Sequence, residues 1–320
     1  MGLVSMREMA AHALREGYAV GAYNVYDWDS LFAVLEAAEK EDSPAILQLS
    51  MGARKHVPGF AIFFRAVKEA AKGCKAPIAV QHDHCSTMEA AVEALQMGFT
   101  AVMFDGSHLP YEENLLMTAQ IAKLAHERGA WLEAELGSIP GFEDMVYSGN
   151  AESTDPLLAA QFVEATGCDA LAVSVGTSHG GVRAGGPLPF HHGLLKDIHR
   201  HLPDYPLVLH GAASLPKELI QAVNDLGGAV ETVFNCLEAD IAQAGRSGVF
   251  KLNMDVDNHL AWNAAVRRDL FENPGRYDPR PILRAGREAF RDEVCHKMRH
   301  VSGTSKKSWP EHRAKKEEVV

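Results

Sequence analysis

The chain has 320 residues, of which 47% are apolar and 23% are charged, so it is long enough to bury a full core. Its net charge of −11 argues against general binding to nucleic acid or to an anionic membrane, because both partners need a basic surface. No stretch has the roughly 18 uncharged apolar residues of a membrane span. The five cysteines are scattered without a C-x-x-C pair, which predicts a reduced, cytoplasmic protein without disulfides.

Short apolar runs alternate with helical patterns along nearly the whole chain. An amphipathic helix is predicted within residues 1–17. Eight apolar runs predict strands over residues 19–25, 45–49, 78–82, 101–104, 131–136, 170–175, 207–209 and 249–254. The helical patterns between them include residues 30–41, 87–98, 111–129 and 155–167. Capping residues at helix starts are expected at Ser30, Ser86 and Asp155.

Near-continuous apolar strands that alternate with helices predict a parallel sheet covered by helices. Eight such units favour one α/β domain, a closed (β/α)8 TIM barrel over residues 1–303. A doubly wound nucleotide-binding fold is the alternative, but G-x-G-x-x-G does not follow the first strand and G-x-x-x-x-G-K-[ST] does not occur. Residues 304–320 read as a polar C-terminal tail, expected to be partly mobile or ordered only by a neighbouring subunit.

Polar residues stand at the carboxyl ends of the predicted strands, where a barrel of this kind carries its active site. In chain order they are Asn24, Ser50, His82, Asp83, His84, Asp105, Ser107, His108, Glu133, Glu135, His179, His210, Asn253 and Asp255. Three separate strands thus deliver a histidine to one rim, with acids between them. Three neutral imidazoles with an open fourth position form a catalytic zinc site.

The stretch "VQHDHCST", residues 80–87, leaves the orientation of its polar residues open. In a regular strand, His82 and His84 share one face and Asp83 points to the other. If the chain turns at the strand end, Asp83 and His84 both face the rim. Periodicity does not choose between these alternatives.

Several segments are similar to the class II, zinc-dependent fructose-bisphosphate aldolases. They include "DHCSTMEAAVEALQMGFTAVMFDGSHLPYEENL", "EAELGSI", "FEDMVY", "DALAVSVGTSHG", "LVLHGAAS" and "KLNMDVD". The resemblance covers roughly residues 3–303, and "GGAVETVFNCLEADI" is similar to the longer branch of the family. The implied fold is the TIM barrel, and the implied activity is the reversible cleavage of a ketose (bis)phosphate to dihydroxyacetone phosphate and an aldehyde.

The resemblance also implies a zinc site. Its ligands would be His84, His179 and His210, and Glu135 matches the family's second or alternative metal position. Zinc, acting as a Lewis acid, stabilises the charge left when the carbon–carbon bond breaks. The family often holds a monovalent cation, Na⁺ or K⁺, near the substrate phosphate.

Catalytic and substrate-binding residues carry over by the same motifs. Asp83 matches the acid that protonates the aldehyde oxygen, and Glu143 matches the mobile-loop carboxylate that moves the carbon-bound proton. The substrate is expected to be a small phosphorylated sugar. Residues at matching or adjacent positions are Asn24, Ser50, Gly180, Arg183, Gly211, Ser214, Asn253, Asp255 and Arg280.

Two positions depart from the family's phosphate site. Ala213 stands where the family usually has Ser, and Val256 stands where it usually has Thr. Loss of two hydrogen bonds to a charged group costs roughly 1.5–3 kcal/mol each unless they are replaced. Ser214 and Arg183 are candidate replacements, because guanidinium is a good phosphate donor. Pro140 also replaces a Gly of the mobile loop.

Other functions remain open from the sequence. One is a zinc aldolase for a non-standard, unphosphorylated or acidic ketose. Another is a non-catalytic barrel subunit, which the complete set of histidines with Asp83 and Glu143 disfavours. A metal-dependent hydrolase is a third, which Asn24 at the end of the first strand disfavours.

An oligomer is expected from the C-terminal region. Arg280, in "YDPRP", resembles a family segment near the subunit contact, and an apolar helix follows it. The resemblance therefore implies a homodimer or homotetramer.

Overall fold

The computed structural model describes residues 2–143, 146–148, 151–183, 188–231 and 233–309, with the backbone alone at 143, 146–148 and 183. Its centre is a closed barrel of eight parallel strands, each paired with its neighbours along the chain and the last paired with the first. Helices stand between the strands. The predicted TIM barrel is therefore confirmed.

All eight predicted strand runs are strands of this barrel. They are β1 (Val20–Asn24), β2 (Ala45–Ser50), β3 (Ile78–Cys85), β4 (Ala101–Phe104), β5 (Trp131–Leu136), β8 (Ala170–Val173), β10 (Leu207–Leu209) and β12 (Val249–Asn253). Two small antiparallel pairs lie in the connections. They are β6 (Gly141–Glu143) with β7 (Val146–Ser148), and β9 (Val182–Arg183) with β11 (Val233–Phe234).

The predicted helices are present, together with others that the apolar pattern did not single out. The first six are α1 (Met6–Glu16), α2 (Trp28–Glu41), α3 (Met51–His56), α4 (Phe60–Gly73), α5 (Met88–Met97) and α6 (Tyr111–His126). The others are α7 (Pro156–Thr166), α8 (His192–His201), α9 (Lys217–Asp225), α10 (Glu238–Gly245), α11 (Val256–Glu272) and α12 (Pro279–His300). None of the helices in the described ranges is long and apolar enough to cross a bilayer.

Two of the three predicted caps lie one to three residues from the observed ones. The N-cap of α2 is Asp27, whose carboxylate accepts a hydrogen bond of 2.7 Å from the backbone of Ser30. The hydroxyl of Ser30 accepts a hydrogen bond of 3.1 Å from the backbone N–H of Asp27, so Ser30 is the inner partner of a capping box rather than the cap. Thr87, not Ser86, caps α5, and Asp155 caps α7 as predicted.

Inside the barrel, apolar side chains fill the amino-terminal half and leave the carboxyl end for polar groups, while a larger apolar cluster packs the strands against the helices. Small and branched side chains of the strands form a buried cluster inside the barrel, which includes Ala22, Ile46 and Val208. Met6 and Met9 of α1 belong to the same cluster and close the barrel from below. The opposite end is therefore the place where the chain holds buried polar and charged side chains.

The first residues of the predicted tail pack under the barrel. Trp309 is 3% exposed, and its ring stacks on that of His12 with centroids 4.4 Å apart. The backbone N–H of Ser308 donates to the carbonyl of Asp42 over 3.1 Å. Residues 310–320 lie outside the described residues, and the division of the chain at residue 303 stays a prediction.

Replacement of Trp309 is expected to destabilise the fold. Trp309→Ala removes a buried aromatic side chain from the cluster that closes the barrel, which costs about 3 kcal/mol in the free energy of unfolding. Urea unfolding measures the change. Tyr277→Ala is the control, because Tyr277 is 95% exposed and its loss should change stability by about 0.5 kcal/mol or less. Equal stabilities of the two variants would contradict the packing described.

Candidate active site

The end of β3 settles how "HDH" is oriented. The pairing of β3 with β4 shifts register after His82, and His84 adopts a left-handed φ of 48°. Such a conformation strains a non-glycine residue by about 1–3 kcal/mol and is most common at functional sites. Asp83 and His84 consequently both reach the carboxyl end of the barrel. His82 packs outward, edge-on to Phe60 and Phe99.

His82 is thereby a packing residue. It is fully buried, and burial lowers its pKa to about 4, so the ring is neutral. Its Nδ1 lies 3.2 Å from the Sγ of Cys85. All five cysteines are buried thiols outside any disulfide.

Three histidine rings converge at the carboxyl end of the barrel. His84, His179 and His210 each offer a ring nitrogen, and these atoms all lie within 4.8 Å of one another. The Nε2 of His84 lies 2.9 Å from the Nδ1 of His210. All three side chains are buried. The strand-end pattern of the sequence therefore corresponds to a real cluster.

Two of the three rings are held from behind by carboxylates. The Nδ1 of His84 lies 3.3 Å from Asp105 Oδ2, and the Nε2 of His210 lies 2.9 Å from Glu133 Oε1. In each ring the other nitrogen faces the cluster. Metal-bound histidines show this arrangement, because the carboxylate fixes the tautomer and the ring orientation.

The protonation of the cluster also suits a metal ion. Burial lowers the pKa of both His179 and His210, so both rings are neutral, as metal ligation requires. Burial opposes charge on His84 too, but Asp83 and Asp105 outweigh it and raise the pKa of His84 to about 10. The negative charge that attracts a proton to this ring also attracts a metal cation. The residues present therefore fit a divalent metal ion.

Glu135 forms a second group with His84 and Asp105, whose candidate ligand atoms also lie within 4.8 Å of one another. Glu135 is 2% exposed, and its Oε2 has no hydrogen-bond partner within the described residues. Burial, together with the charge of Asp105, raises the pKa of Glu135 well above its usual range. The raised pKa favours the protonated carboxyl group, so a cation that binds here would have to displace its proton.

A buried ion pair beneath the cluster had no role assigned from the sequence. Glu133 accepts hydrogen bonds from Lys251 Nζ at 2.6 Å and from Gln81 Nε2 at 2.9 Å, and all three side chains are fully buried. Burial opposes the charge of Glu133, but Lys251 and His210 outweigh it and lower its pKa. The signal was available, because alternation along β5 places Glu133 on the same face as Glu135.

Asp83 lies beside these groups, and one of its oxygens accepts no hydrogen bond from the described residues. It is 1% exposed, and its Oδ2 accepts a hydrogen bond of 3.3 Å from Asn253 Nδ2. Its Oδ1 lies 3.8 Å from Lys251 Nζ and accepts no hydrogen bond from the described residues. A buried carboxylate with a free oxygen next to a cavity is able to exchange a proton with a bound molecule.

A cavity of about 80 Å³ opens next to the cluster. It is lined by Asn24, Gln48, Asp83, Phe142, His179, Gly180, Gly211, Ala213, Asn253, Met254, Asp255 and Val256. The structure thus gathers most of the predicted substrate residues around one space. It also places Ala213 and Val256 there together.

Three residues that line this cavity have backbone N–H groups without an acceptor among the described residues. The N–H groups of Gly180, Gly211 and Ala213 donate none of the hydrogen bonds found among the described residues. Gly211 has a φ of 60°, and a Cβ there would lie 2.5 Å from the carbonyl oxygen of Ser178, so only glycine fits. Unpaired N–H groups that line a concave surface form an anion site. We call residues 211–215 the anion loop.

Three predicted substrate residues do not line this cavity. Ser50 caps α3, and its Oγ accepts a hydrogen bond from the backbone of Ala53. The Oγ of Ser214 points behind the anion loop, where it donates to Asp257 Oδ2 over 2.9 Å. Arg280 lies in the first turn of α12 on the outer surface, with its side chain 87% exposed and paired with Asp278. Ser214 is consequently not placed to replace the lost phosphate hydroxyls.

The side chains of Glu143 and Arg183 lie outside the described residues, so only their backbone positions are known. Glu143 ends β6, whose neighbouring residue Phe142 lines the cavity and donates its N–H to the carbonyl of His179 over 2.8 Å. A Cβ at Gly141 would lie 1.9 Å from that carbonyl oxygen, which explains the glycine. Glu143 therefore lies in a hairpin attached to one of the clustered histidines.

Comparison with known proteins agrees with this geometry. The family model described as "Fructose-bisphosphate aldolase class-II" matches residues 4–307. The fructose-bisphosphate aldolase of Thermus caldophilus is 40% identical over 298 residues, which is 92% of this chain and 97% of that protein. The fructose-bisphosphate aldolase of Geobacillus stearothermophilus is 38% identical over 308 residues, 96% of this chain and 99% of that protein.

A solved structure shows the same likeness. The YdjI aldolase from Escherichia coli K12 superimposes with a TM-score of 0.76 at 27% identity, covering 96% of this chain and 100% of that chain. The barrel, the converging histidines and the match over nearly the whole chain all indicate the same family. This protein belongs to the class II fructose-bisphosphate aldolase family and is an aldehyde-lyase.

Proposed function

We propose that the enzyme is a zinc aldolase in which His84, His179 and His210 hold the ion and a ketose phosphate occupies the cavity beside them. The observation that carries this proposal is the convergence of three buried ring nitrogens within 4.8 Å, two of the rings being fixed from behind by carboxylates. When bound, zinc supplies Lewis-acid stabilisation of the negative charge that develops as the carbon–carbon bond breaks. Glu135 is the proposed second or alternative ligand.

Asp83 is the proposed proton-transfer group at oxygen. In the cleavage direction its carboxylate takes the proton of the substrate hydroxyl, and in condensation it returns that proton to the aldehyde oxygen. The free Oδ1 and the burial of the side chain support this role. Asn253, which donates to the other oxygen, holds the carboxylate in place.

Glu143 is the proposed group that moves the carbon-bound proton. Support comes from its backbone position, one residue beyond Phe142 in the hairpin that borders the cavity. Proton transfers at oxygen and at carbon occur at different sites on the substrate, so two separate groups are needed.

The substrate's anionic group is proposed to bind at the backbone donors of Gly180, Gly211 and Ala213. Arg183 and Asp255 would lie near it, Asn24 would contact the reacting half, and Na⁺ or K⁺ would balance charge beside the phosphate. The side chains of Arg280 and Ser214 do not line the cavity, as described above, and they are not among the proposed substrate contacts. A cytoplasmic location and a small phosphorylated sugar substrate complete the proposal.

A cleavage screen tests the proposed function. The zinc-loaded enzyme is incubated with ketose bisphosphates, ketose monophosphates and unphosphorylated ketoses, and the products are identified. The expected result is dihydroxyacetone phosphate together with an aldehyde from a phosphorylated ketose, and no product after chelation. Products from unphosphorylated ketoses alone would contradict the anion site while leaving the aldolase chemistry intact.

The absence of hydroxyl groups at Ala213 and Val256 predicts weak cleavage of fructose 1,6-bisphosphate. Ala213 and Val256 line the cavity without hydroxyl groups, and the only nearby serine of the anion loop, Ser214, is bonded to Asp257. The kcat/KM for fructose 1,6-bisphosphate should therefore lie below about 10⁴ M⁻¹s⁻¹, the lower end of ordinary enzyme efficiency. An Ala213→Ser, Val256→Thr double variant should raise it by at least about tenfold, since each restored hydrogen bond to charge is worth roughly 1.5–3 kcal/mol.

Steady-state kinetics on both proteins, prepared with equal zinc content, measure this difference. An unmodified enzyme that already exceeds about 10⁴ M⁻¹s⁻¹ would show that the backbone donors and Arg183 suffice for the phosphate.

The chain is expected to form at least a homodimer. Large apolar side chains are exposed on α2, α4 and α12, including Trp28 at 56%, Ile62 at 69% and Leu283 at 42%. Exposed apolar groups of this size on neighbouring helices mark contact surfaces. Light scattering at micromolar concentration should give a dimer or a tetramer, and a single species of 34.8 kDa would contradict the expectation.

A further inference from the structure

A buried ammonium group lies behind the anion loop. Lys297 of α12 is 1% exposed, and its Nζ lies 2.6 Å from Asp257 Oδ2, 3.3 Å from Glu293 Oε1 and 3.0 Å from Ser214 Oγ. It also donates to Glu238. Burial lowers the pKa of a lysine, but the three carboxylates outweigh burial and raise the pKa of Lys297 above its usual range. Lys297 is therefore a fixed positive charge inside the fold.

Asp257 connects this charge to the anion loop. It is 1% exposed and accepts hydrogen bonds from Ser214 N at 2.9 Å, Ser214 Oγ at 2.9 Å and Leu215 N at 2.7 Å. Leu215 adopts a left-handed φ of 52°, which a leucine rarely takes without strain. The carboxylate of Asp257 thus holds the Ser214–Leu215 end of the loop, where the left-handed residue lies.

The clamped loop carries two of the N–H groups that lack a described acceptor. Gly211 and Ala213 line the cavity, and Ala212 N donates to the carbonyl of Asn253 over 2.9 Å. The first part of the loop is therefore tied to β12 and to Asn235, whose Nδ2 donates to the carbonyl of Gly211 over 2.9 Å, and the last part is tied to Asp257. Movement of Asp257 would shift the N–H groups of Gly211 and Ala213 relative to a bound anion.

The ammonium group is what keeps Asp257 in place. Oxygen atoms of Glu238, Asp257 and Glu293 all lie within 4.8 Å of one another, and Lys297 contacts all three residues. Like charges at such distances repel strongly in a partly buried setting. Without the ammonium group the carboxylates would separate or take up protons, and Asp257 would lose the partner that orients it.

We propose that Lys297 is a positioning residue for substrate binding, which fixes the backbone donors of the anion loop through Asp257. The inference rests on the anion site of the proposed function. A residue of α12 would thereby fix the position of the loop that borders the active site. Because Lys297 does not touch the cavity, its role is in binding the anionic group rather than in the chemical step.

Lys297→Met tests the proposal, because methionine keeps the length of the side chain and removes its charge. Affinity for inorganic phosphate, measured by calorimetry, should fall by at least about tenfold, and KM for the best substrate should rise by a similar factor. The expected change in kcat is less than about threefold, and bound zinc should be unchanged. Lys297→Arg, which retains the charge, should recover most of the phosphate affinity.

Lys40→Met is the matched control. Lys40 also pairs with a carboxylate of α12, Asp292, over 3.3 Å, but it lies on the surface. Its loss should leave phosphate affinity and KM unchanged.

Amide hydrogen exchange tests the role of Lys297 separately from the existence of the anion site. The amide hydrogens of Ser214 and Leu215 should exchange at least about tenfold faster in Lys297→Met than in the unmodified enzyme, whether or not phosphate binds. An unmodified enzyme that binds no phosphate would overturn the anion site. Unchanged exchange together with unchanged phosphate affinity in Lys297→Met would overturn the role of Lys297.

A second variant covers the case in which Lys297→Met does not fold. The double variant Glu293→Gln, Lys297→Met removes one carboxylate together with the ammonium group, which relieves the repulsion. It should still bind phosphate at least about tenfold more weakly, because Asp257 remains without its cation. Phosphate affinity equal to that of the unmodified enzyme would overturn the proposal.

Discussion

Asp83→Ala is expected to lower kcat by about 10²–10⁴, the usual contribution of a positioned acid–base group, while the zinc content stays normal. The physical reason is the placement of the carboxylate. Asp83 is 1% exposed and lines the cavity, its Oδ2 is held by Asn253, and its Oδ1 accepts no hydrogen bond from the described residues but lies 3.8 Å from Lys251 Nζ. No other carboxylate that lines the cavity is as deeply buried within the described residues, because Asp255 is half-buried.

Single-turnover kinetics with parallel elemental analysis measure this effect. Asp155→Ala is the control, because that carboxylate caps α7 on the surface and its loss should leave kcat within about threefold. If Asp83→Ala loses its zinc, Asp83 is a metal ligand and the ligand set must be redrawn. If kcat stays within about tenfold of the unmodified enzyme, another group transfers the proton.

His210→Ala is expected to weaken zinc binding by more than about 100-fold, and cleavage should fall with it. Loss of an outer partner of a metal-bound histidine already costs about 10–100-fold in affinity, so loss of a ligand costs more. His210 is fully buried between the Nε2 of His84 and Glu133. Its removal also leaves the carboxylate of Glu133 with Lys251 and Gln81 as its remaining partners.

Competition with a zinc-binding dye measures the affinity, and circular dichroism checks that the barrel remains folded. His201→Ala is the matched control, because His201 lies exposed on α8 and its Nδ1 contacts only the carbonyl of Asp197 among its described partners. Full zinc affinity in His210→Ala would remove His210 from the ligand set.

The barrel could be predicted from the sequence because its signals are local. Each apolar run of three to seven residues is buried on both faces, and each helical pattern covers the strand beside it. The closed order of strands then follows from eight repeated units rather than from any long-range signal. Two cap positions were predicted only to within one to three residues, since a serine such as Ser30 serves equally well as cap or as inner partner of a capping box.

The orientation of the "HDH" residues could not be predicted from periodicity. The shift between β3 and β4 and the left-handed φ of His84 depend on pairing with another strand, and neither leaves a mark in the local sequence. Only the resemblance to a known family favoured Asp83 and His84 at the rim. The structure supplies the reason, which is a strained residue at the strand end.

The hydroxyl of Ser214 shows that a sequence motif does not predict the direction of a side chain. Its position in the anion loop made it a candidate for phosphate, yet its partners Asp257 and Lys297 lie 43 and 83 residues away along the chain. A sequence motif reports which residues share a loop, but it does not report which way a small side chain turns. Alternation along the strands could have placed the side chains of Glu133 and Lys251 inside the barrel. No motif indicated a function for this buried pair.

The central claim is that one divalent metal ion sits among three histidines at the carboxyl end of the barrel. Anomalous diffraction at the zinc edge, on crystals of the zinc-loaded enzyme, tests it most directly. The account predicts one strong peak per chain, bounded by ring nitrogens of His84, His179 and His210. Stoichiometric zinc located only at another acidic group, such as Glu238 with Asp257 and Glu293, would contradict it.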